Sequence, residues 1–115
     1  MVGRLFSLTG SGFWDWVLQR VSALVILSYS IFMAAFFWTH PGLDYASWMS
    51  LCTNLWFKLG TFLTFLFVVI HAWIGLWMVV GDYIHCKFLA KTINIALILS
   101  YAAMLIFLAQ LLWSI

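Results

Sequence analysis

Three long apolar stretches constrain the fold of this chain more than any other feature. They cover roughly residues 16–38, 59–80 and 92–113, and each exceeds the roughly 20 residues with which an α-helix crosses the hydrocarbon core of a bilayer. Only 7% of the 115 residues are charged, against about 25% in soluble domains. The sequence therefore predicts an all-α membrane protein, in which three transmembrane helices form an up-down-up bundle and a single membrane-anchor domain.

The links between the stretches are short and leave little mass outside the membrane. The first, residues 39–58, holds Pro41, Gly42 and Asp44, which predict a turn followed by a partly amphipathic segment at the interface. The second, residues 81–91, is compact. Without a soluble domain, the chain is expected to act within the membrane as part of a larger assembly. Its net charge of +2 and its lack of a basic run exclude a nucleic-acid partner.

The positive residues predict the orientation. Arg4 and Arg20 lie on the amino-terminal side of the first span, Lys87 and Lys91 lie in the second link, and Lys58 lies alone on the opposite side. The positive-inside rule then places the amino terminus and the second link in the cytoplasm and the carboxyl terminus in the periplasm. The first span is expected to be retained, because its apolar core exceeds the about 7–15 residues of a signal peptide and no small-residue cleavage site follows it.

His71 is the residue that membrane crossing does not explain. It lies in the middle of the second span, which otherwise lacks ionisable groups, and a polar group in hydrocarbon costs free energy unless it finds a partner. Neutral imidazole can be an axial ligand of haem iron, or it can hydrogen-bond across a bundle for packing. Gly75, one turn away, leaves room for a flat macrocycle or a neighbouring helix. A haem here would take its second ligand from another subunit, because no other histidine or methionine of this chain lies at a comparable depth.

Three more residues could serve a haem or a quinone. Arg20, about one turn inside the first span, could bind haem propionates, or it could be a positive-inside anchor paired with Asp15. Asp82 returns to within about 20° of the His71 face of the helix. Tyr83, at headgroup depth, could donate a hydrogen bond to a quinone carbonyl, or it could be an ordinary aromatic anchor.

The second span carries these residues in a recognisable order, the run HAWIG at residues 71–75 and then Asp82 and Tyr83. Together with Asp15 and Arg20 at the entrance to the first span, this order resembles the hydrophobic membrane anchor subunit of bacterial succinate dehydrogenase, the smaller chain of its cytochrome b. The resemblance covers essentially the whole chain in length, span order and link placement.

The resemblance implies a role for each of these residues. His71 would be an axial ligand of haem b, with the other ligand from the companion cytochrome b subunit, and Arg20 would lie near the haem propionates. Tyr83 would contact ubiquinone, with Asp82 beside the same site. The chain would anchor succinate:quinone oxidoreductase (respiratory complex II) in the bacterial inner membrane by attaching the iron–sulfur and flavoprotein subunits. It would contribute no catalytic residue to succinate oxidation itself.

Two other functions are compatible with the sequence. One is the anchor of a fumarate reductase-type complex that uses menaquinol and works in the opposite direction. A haem and the Asp-Tyr pair favour the succinate-oxidising form. The other is a small non-redox scaffold or transporter subunit, in which His71 would be a packing or proton-relay residue.

Overall fold

The computed structural model describes residues 10–115, which form four α-helices. These are α1 (Gly12–Thr39), α2 (Tyr45–Cys52), α3 (Leu55–Tyr83) and α4 (Lys87–Ser114). By length and composition, α1, α3 and α4 could each cross a membrane, and no strand occurs between residues 10 and 115. The predicted all-α class with three apolar spanning helices is confirmed. Arg4, which contributed to the predicted orientation, lies outside the described residues.

Contacts between α1 and α3 show that these two helices are antiparallel. The hydroxyl oxygens of Tyr29 and Thr61 lie 2.9 Å apart, and Oγ of Ser22 lies 3.1 Å from Nδ1 of His71. The earlier residue of α1 thus meets the later residue of α3. The two helices therefore run in opposite directions through the bundle.

Helices α3 and α4 are also antiparallel. The rings of Trp73 and Tyr101 stack with their centroids 5.9 Å apart, and the rings of Phe62 and Trp113 meet edge to face at 6.0 Å. Helix α3 therefore lies between α1 and α4 and packs against both. The three long helices have the predicted up-down-up order.

Several of the buried residues of the three long helices are polar. Both buried residues of α1, Asp15 and Ser22, are polar. Thr61 and Thr64 of α3 and Asn94 of α4 are also buried, whereas many large apolar side chains are exposed on all three long helices. Small polar groups between helices and apolar groups outside are typical of packing within a lipid bilayer.

The first link contains the short helix α2, at the place where the sequence predicts a partly amphipathic interfacial segment. The helix begins after Asp44, whose carboxylate accepts a hydrogen bond from the backbone N–H of Ser47 at 2.8 Å, a standard N-terminal cap. Hydrogen bonds from Ser47 lower the pKa of the Asp44 carboxyl. The ring of Trp48 stacks on Phe37 at 5.8 Å, so the link folds back against the end of α1.

Candidate functional site

His71 lies near the middle of α3, on the side that faces α1. It lies twelve positions before Tyr83 at the end of the helix, a distance of about 18 Å along the axis at 1.5 Å per residue. Its side chain is half-buried, and its Nδ1 lies 3.1 Å from Oγ of Ser22. Ser22 is thus the hydrogen-bond partner of the imidazole within this chain.

The hydroxyl of Ser22 makes two contacts. It donates a hydrogen bond to the backbone carbonyl oxygen of Gln19 at 2.8 Å, and it also contacts His71. Ser28 and Ser30 in the same helix bond backbone carbonyl oxygens as well, but both are exposed. Ser22 is 0% exposed, and its hydroxyl joins the backbone of α1 to a side chain of α3.

Gly75, one turn after His71, also faces α1. A Cβ atom at this glycine would lie 3.5 Å from Nε2 of Gln19, an ordinary van der Waals distance. The sequence leaves open whether Gly75 makes room for a macrocycle or for a neighbouring helix, and the structure places α1 on this side. Gln19 beside Gly75 and Ser22 beside His71 form two successive contacts of one antiparallel interface.

Arg20 lies on a different side of α1 from Ser22. They are two positions apart in the sequence, which is about 200° of rotation around the helix axis. Arg20 is exposed, and its Cζ lies 5.4 Å from the centroid of the Trp16 ring, a cation–π distance. The structure therefore brings Ser22 and His71 together and places the Arg20 guanidinium on the outer face of α1.

Asp82 and Tyr83 form the exposed end of α3. Tyr83 is 78% exposed, and Asp82 is also exposed. The helix ends here because Ile84 has an extended backbone, with φ −111° and ψ 108°, and α4 begins at Lys87. The phenol and the carboxylate are therefore accessible at one end of the bundle, well separated from His71 along α3.

This arrangement occurs in a chain whose residues 4–111 match the family model described as succinate dehydrogenase/fumarate reductase transmembrane subunit. The chain belongs to that family. It is also similar to the succinate dehydrogenase hydrophobic membrane anchor subunit of Coxiella burnetii (strain RSA 493 / Nine Mile phase I), with 34% identity over 76 residues. The alignment covers 66% of this chain and 66% of that relative. The resemblance inferred from the sequence is confirmed.

Ser22 is the residue of this anchor subunit that sequence reasoning missed. A serine in an apolar helix usually bonds a carbonyl oxygen three or four residues earlier. The sequence around Ser22 therefore does not distinguish it from Ser28. A comparison of the depths of Ser22 and His71 in the membrane could have identified Ser22 as a neighbour of His71. Ser22 lies ten positions after the first residue of α1, and His71 lies twelve positions before the last residue of α3. Because the two helices are antiparallel, these residues are about 15 and 18 Å from the same end of the bundle.

Proposed function

We propose that this anchor subunit holds haem b through His71 and forms part of a ubiquinone-reduction site in a succinate:quinone oxidoreductase. Membership of the transmembrane-subunit family supports the anchor role. The observation that carries the haem assignment is the mid-span imidazole, which is bonded at Nδ1 to the neighbouring helix. Its other nitrogen, Nε2, has the donor chemistry that haem iron accepts.

The donor set fits a haem shared between two chains. His71 would supply one imidazole, and the companion cytochrome b subunit would supply the other ligand. The bound haem provides a one-electron redox centre inside the membrane. Arg20 is exposed on the outer face of α1, and its guanidinium would be suited to bidentate binding of a propionate carboxylate that reaches that face.

The end of α3 provides the residues of the proposed quinone site. Tyr83 donates a hydrogen bond to a quinone carbonyl oxygen and stabilises the negative charge that develops there during reduction. Asp82 orients the phenol or passes a proton to the site. Because Tyr83 is 78% exposed within this chain, other subunits complete the pocket. Succinate is oxidised on the flavoprotein, and the iron–sulfur subunit carries the electrons to the membrane.

Purification of the complex through an affinity tag on this chain tests the proposed function. We expect the flavoprotein, the iron–sulfur subunit and a second membrane subunit to co-purify, together with haem b and succinate-dependent ubiquinone reduction. Recovery of the chain without these subunits and without haem would contradict the proposal and support a non-redox scaffold. A complex that reduces fumarate with menaquinol faster than it oxidises succinate would support the fumarate reductase alternative.

The proposed orientation in the inner membrane puts the second link in the cytoplasm, and the two cysteines test it. Cys86 is exposed in that link, whereas Cys52 is buried and burial raises the pKa of its thiol, which slows its reaction with maleimides. In membranes stripped of peripheral subunits, we expect a membrane-impermeant maleimide to label the chain in inside-out vesicles only. The Cys86→Ser variant should abolish the labelling. Labelling of Cys86 in right-side-out vesicles would contradict the orientation.

A further inference from the structure

The hydrogen bonds of Ser22 indicate which nitrogen of His71 carries the proton. A serine hydroxyl has one hydrogen, and Ser22 uses it to donate to the carbonyl oxygen of Gln19 at 2.8 Å. Its oxygen, 3.1 Å from Nδ1 of His71, therefore acts as an acceptor toward the imidazole. Nδ1 carries the hydrogen and donates it, which leaves Nε2 as the lone-pair nitrogen of the neutral ring.

We propose that Ser22 is a positioning residue for the haem ligand, which fixes the Nδ1–H tautomer of His71 and leaves Nε2 as the nitrogen that would bind the iron. The inference rests on the proposed function. Histidines that bind metals commonly donate their second N–H to an acceptor, which fixes the tautomer and the ring orientation and makes the ligand more basic. In this chain a hydroxyl from the neighbouring helix supplies the acceptor.

The surroundings of Ser22 make this hydroxyl difficult to replace. Ser22 is 0% exposed, and removal of its hydroxyl would take from Nδ1–H of His71 the acceptor that α1 supplies, which is unfavourable. The bond between Tyr29 and Thr61 further along the same interface keeps α1 and α3 in register. The position of the imidazole is therefore coupled to the packing of two membrane-spanning helices.

The test compares purified complexes that carry Ser22→Ala, Ser22→Thr and Ser28→Ala. Threonine retains a hydroxyl at position 22. Ser28 is a matched control, because its hydroxyl donates to a backbone carbonyl oxygen in the same helix but is exposed. Haem dissociation, the haem midpoint potential and the electron paramagnetic resonance spectrum of the oxidised haem are measured for each complex, and subunit stoichiometry reports assembly separately.

For Ser22→Ala we expect haem dissociation to be faster by about 10- to 100-fold, as is typical when the hydrogen-bond partner of a metal ligand is lost. The midpoint potential should shift upward, because a less basic imidazole stabilises ferric iron less, and the low-spin ferric signal should shift. Ser22→Thr and Ser28→Ala should both match the unmodified complex.

Two results would overturn the proposal for Ser22. One is a Ser22→Ala complex whose haem dissociation, potential and resonance spectrum are unchanged. The other is a change in Ser28→Ala as large as the change in Ser22→Ala, which would show that loss of a serine hydroxyl from α1, and not loss of the contact with His71, alters the haem. Failure of the haem assignment itself has a different signature, because the haem would then be unaltered in His71→Ala.

Discussion

Replacement of His71 by alanine is expected to remove haem b from the complex. Loss of a residue that only supports a metal ligand typically lowers metal affinity by about 10- to 100-fold, so loss of the ligand itself should lower haem affinity by more than about 100-fold. Alanine is a strong helix former, and we therefore expect α3 still to form and the chain still to insert. The reduced-minus-oxidised absorbance spectrum of the purified complex, normalised to its flavin content, measures the effect.

Two other histidines provide matched controls for this substitution. His40 and His85 are both exposed and lie at opposite ends of the bundle, so His40→Ala and His85→Ala should retain the cytochrome spectrum. An unchanged spectrum in His71→Ala would contradict ligation. It would instead favour a packing role for His71 through its contact with Ser22.

Replacement of Tyr83 by phenylalanine is expected to slow ubiquinone reduction and to leave succinate oxidation by an artificial soluble acceptor intact. Phenylalanine keeps the aromatic ring but cannot donate a hydrogen bond. Loss of such a bond typically costs about 1–3 kcal/mol, which is roughly a 5- to 150-fold lower rate. Both activities are measured on one preparation, and their ratio separates quinone chemistry from assembly.

Tyr45 is the matched control for Tyr83. It is 76% exposed, against 78% for Tyr83, but it begins α2 at the opposite end of the bundle. Tyr45→Phe should leave the ratio of the two activities unchanged. Equal loss of both activities in Tyr83→Phe would indicate a role in assembly, and an unchanged ratio would contradict contact with the quinone.

The three spanning helices could be predicted because hydrocarbon imposes a simple length requirement on the sequence and demands that backbone groups bond within each helix. The ends of the helices were less accessible to this reasoning. Helix α3 begins at Leu55, before the apolar stretch that starts near residue 59. The side chain of Asn54 accepts hydrogen bonds from the backbone N–H groups of Trp56 and Phe57, so the helix starts at a polar cap that hydropathy does not detect.

The residues of the candidate site could be predicted where a polar side chain lay in an apolar segment that offered it no local partner. His71 stood out because an imidazole in an apolar helix requires a partner, whereas Ser22 did not because its helix can satisfy a hydroxyl locally. Arg20 was assigned from its depth and from the family resemblance. Its direction around α1, toward Trp16, depends on which face of the helix packs on α3, and hydropathy did not reveal that face.

The most direct test of the haem assignment asks whether this chain and the companion membrane subunit each provide one axial ligand. Reduced-minus-oxidised spectra are recorded for each subunit purified alone and for the two expressed together. We expect a low-spin b-type spectrum from the pair only, and we expect it to disappear when the pair carries His71→Ala. A low-spin b-type spectrum from this chain alone, or no haem in the pair, would contradict shared ligation.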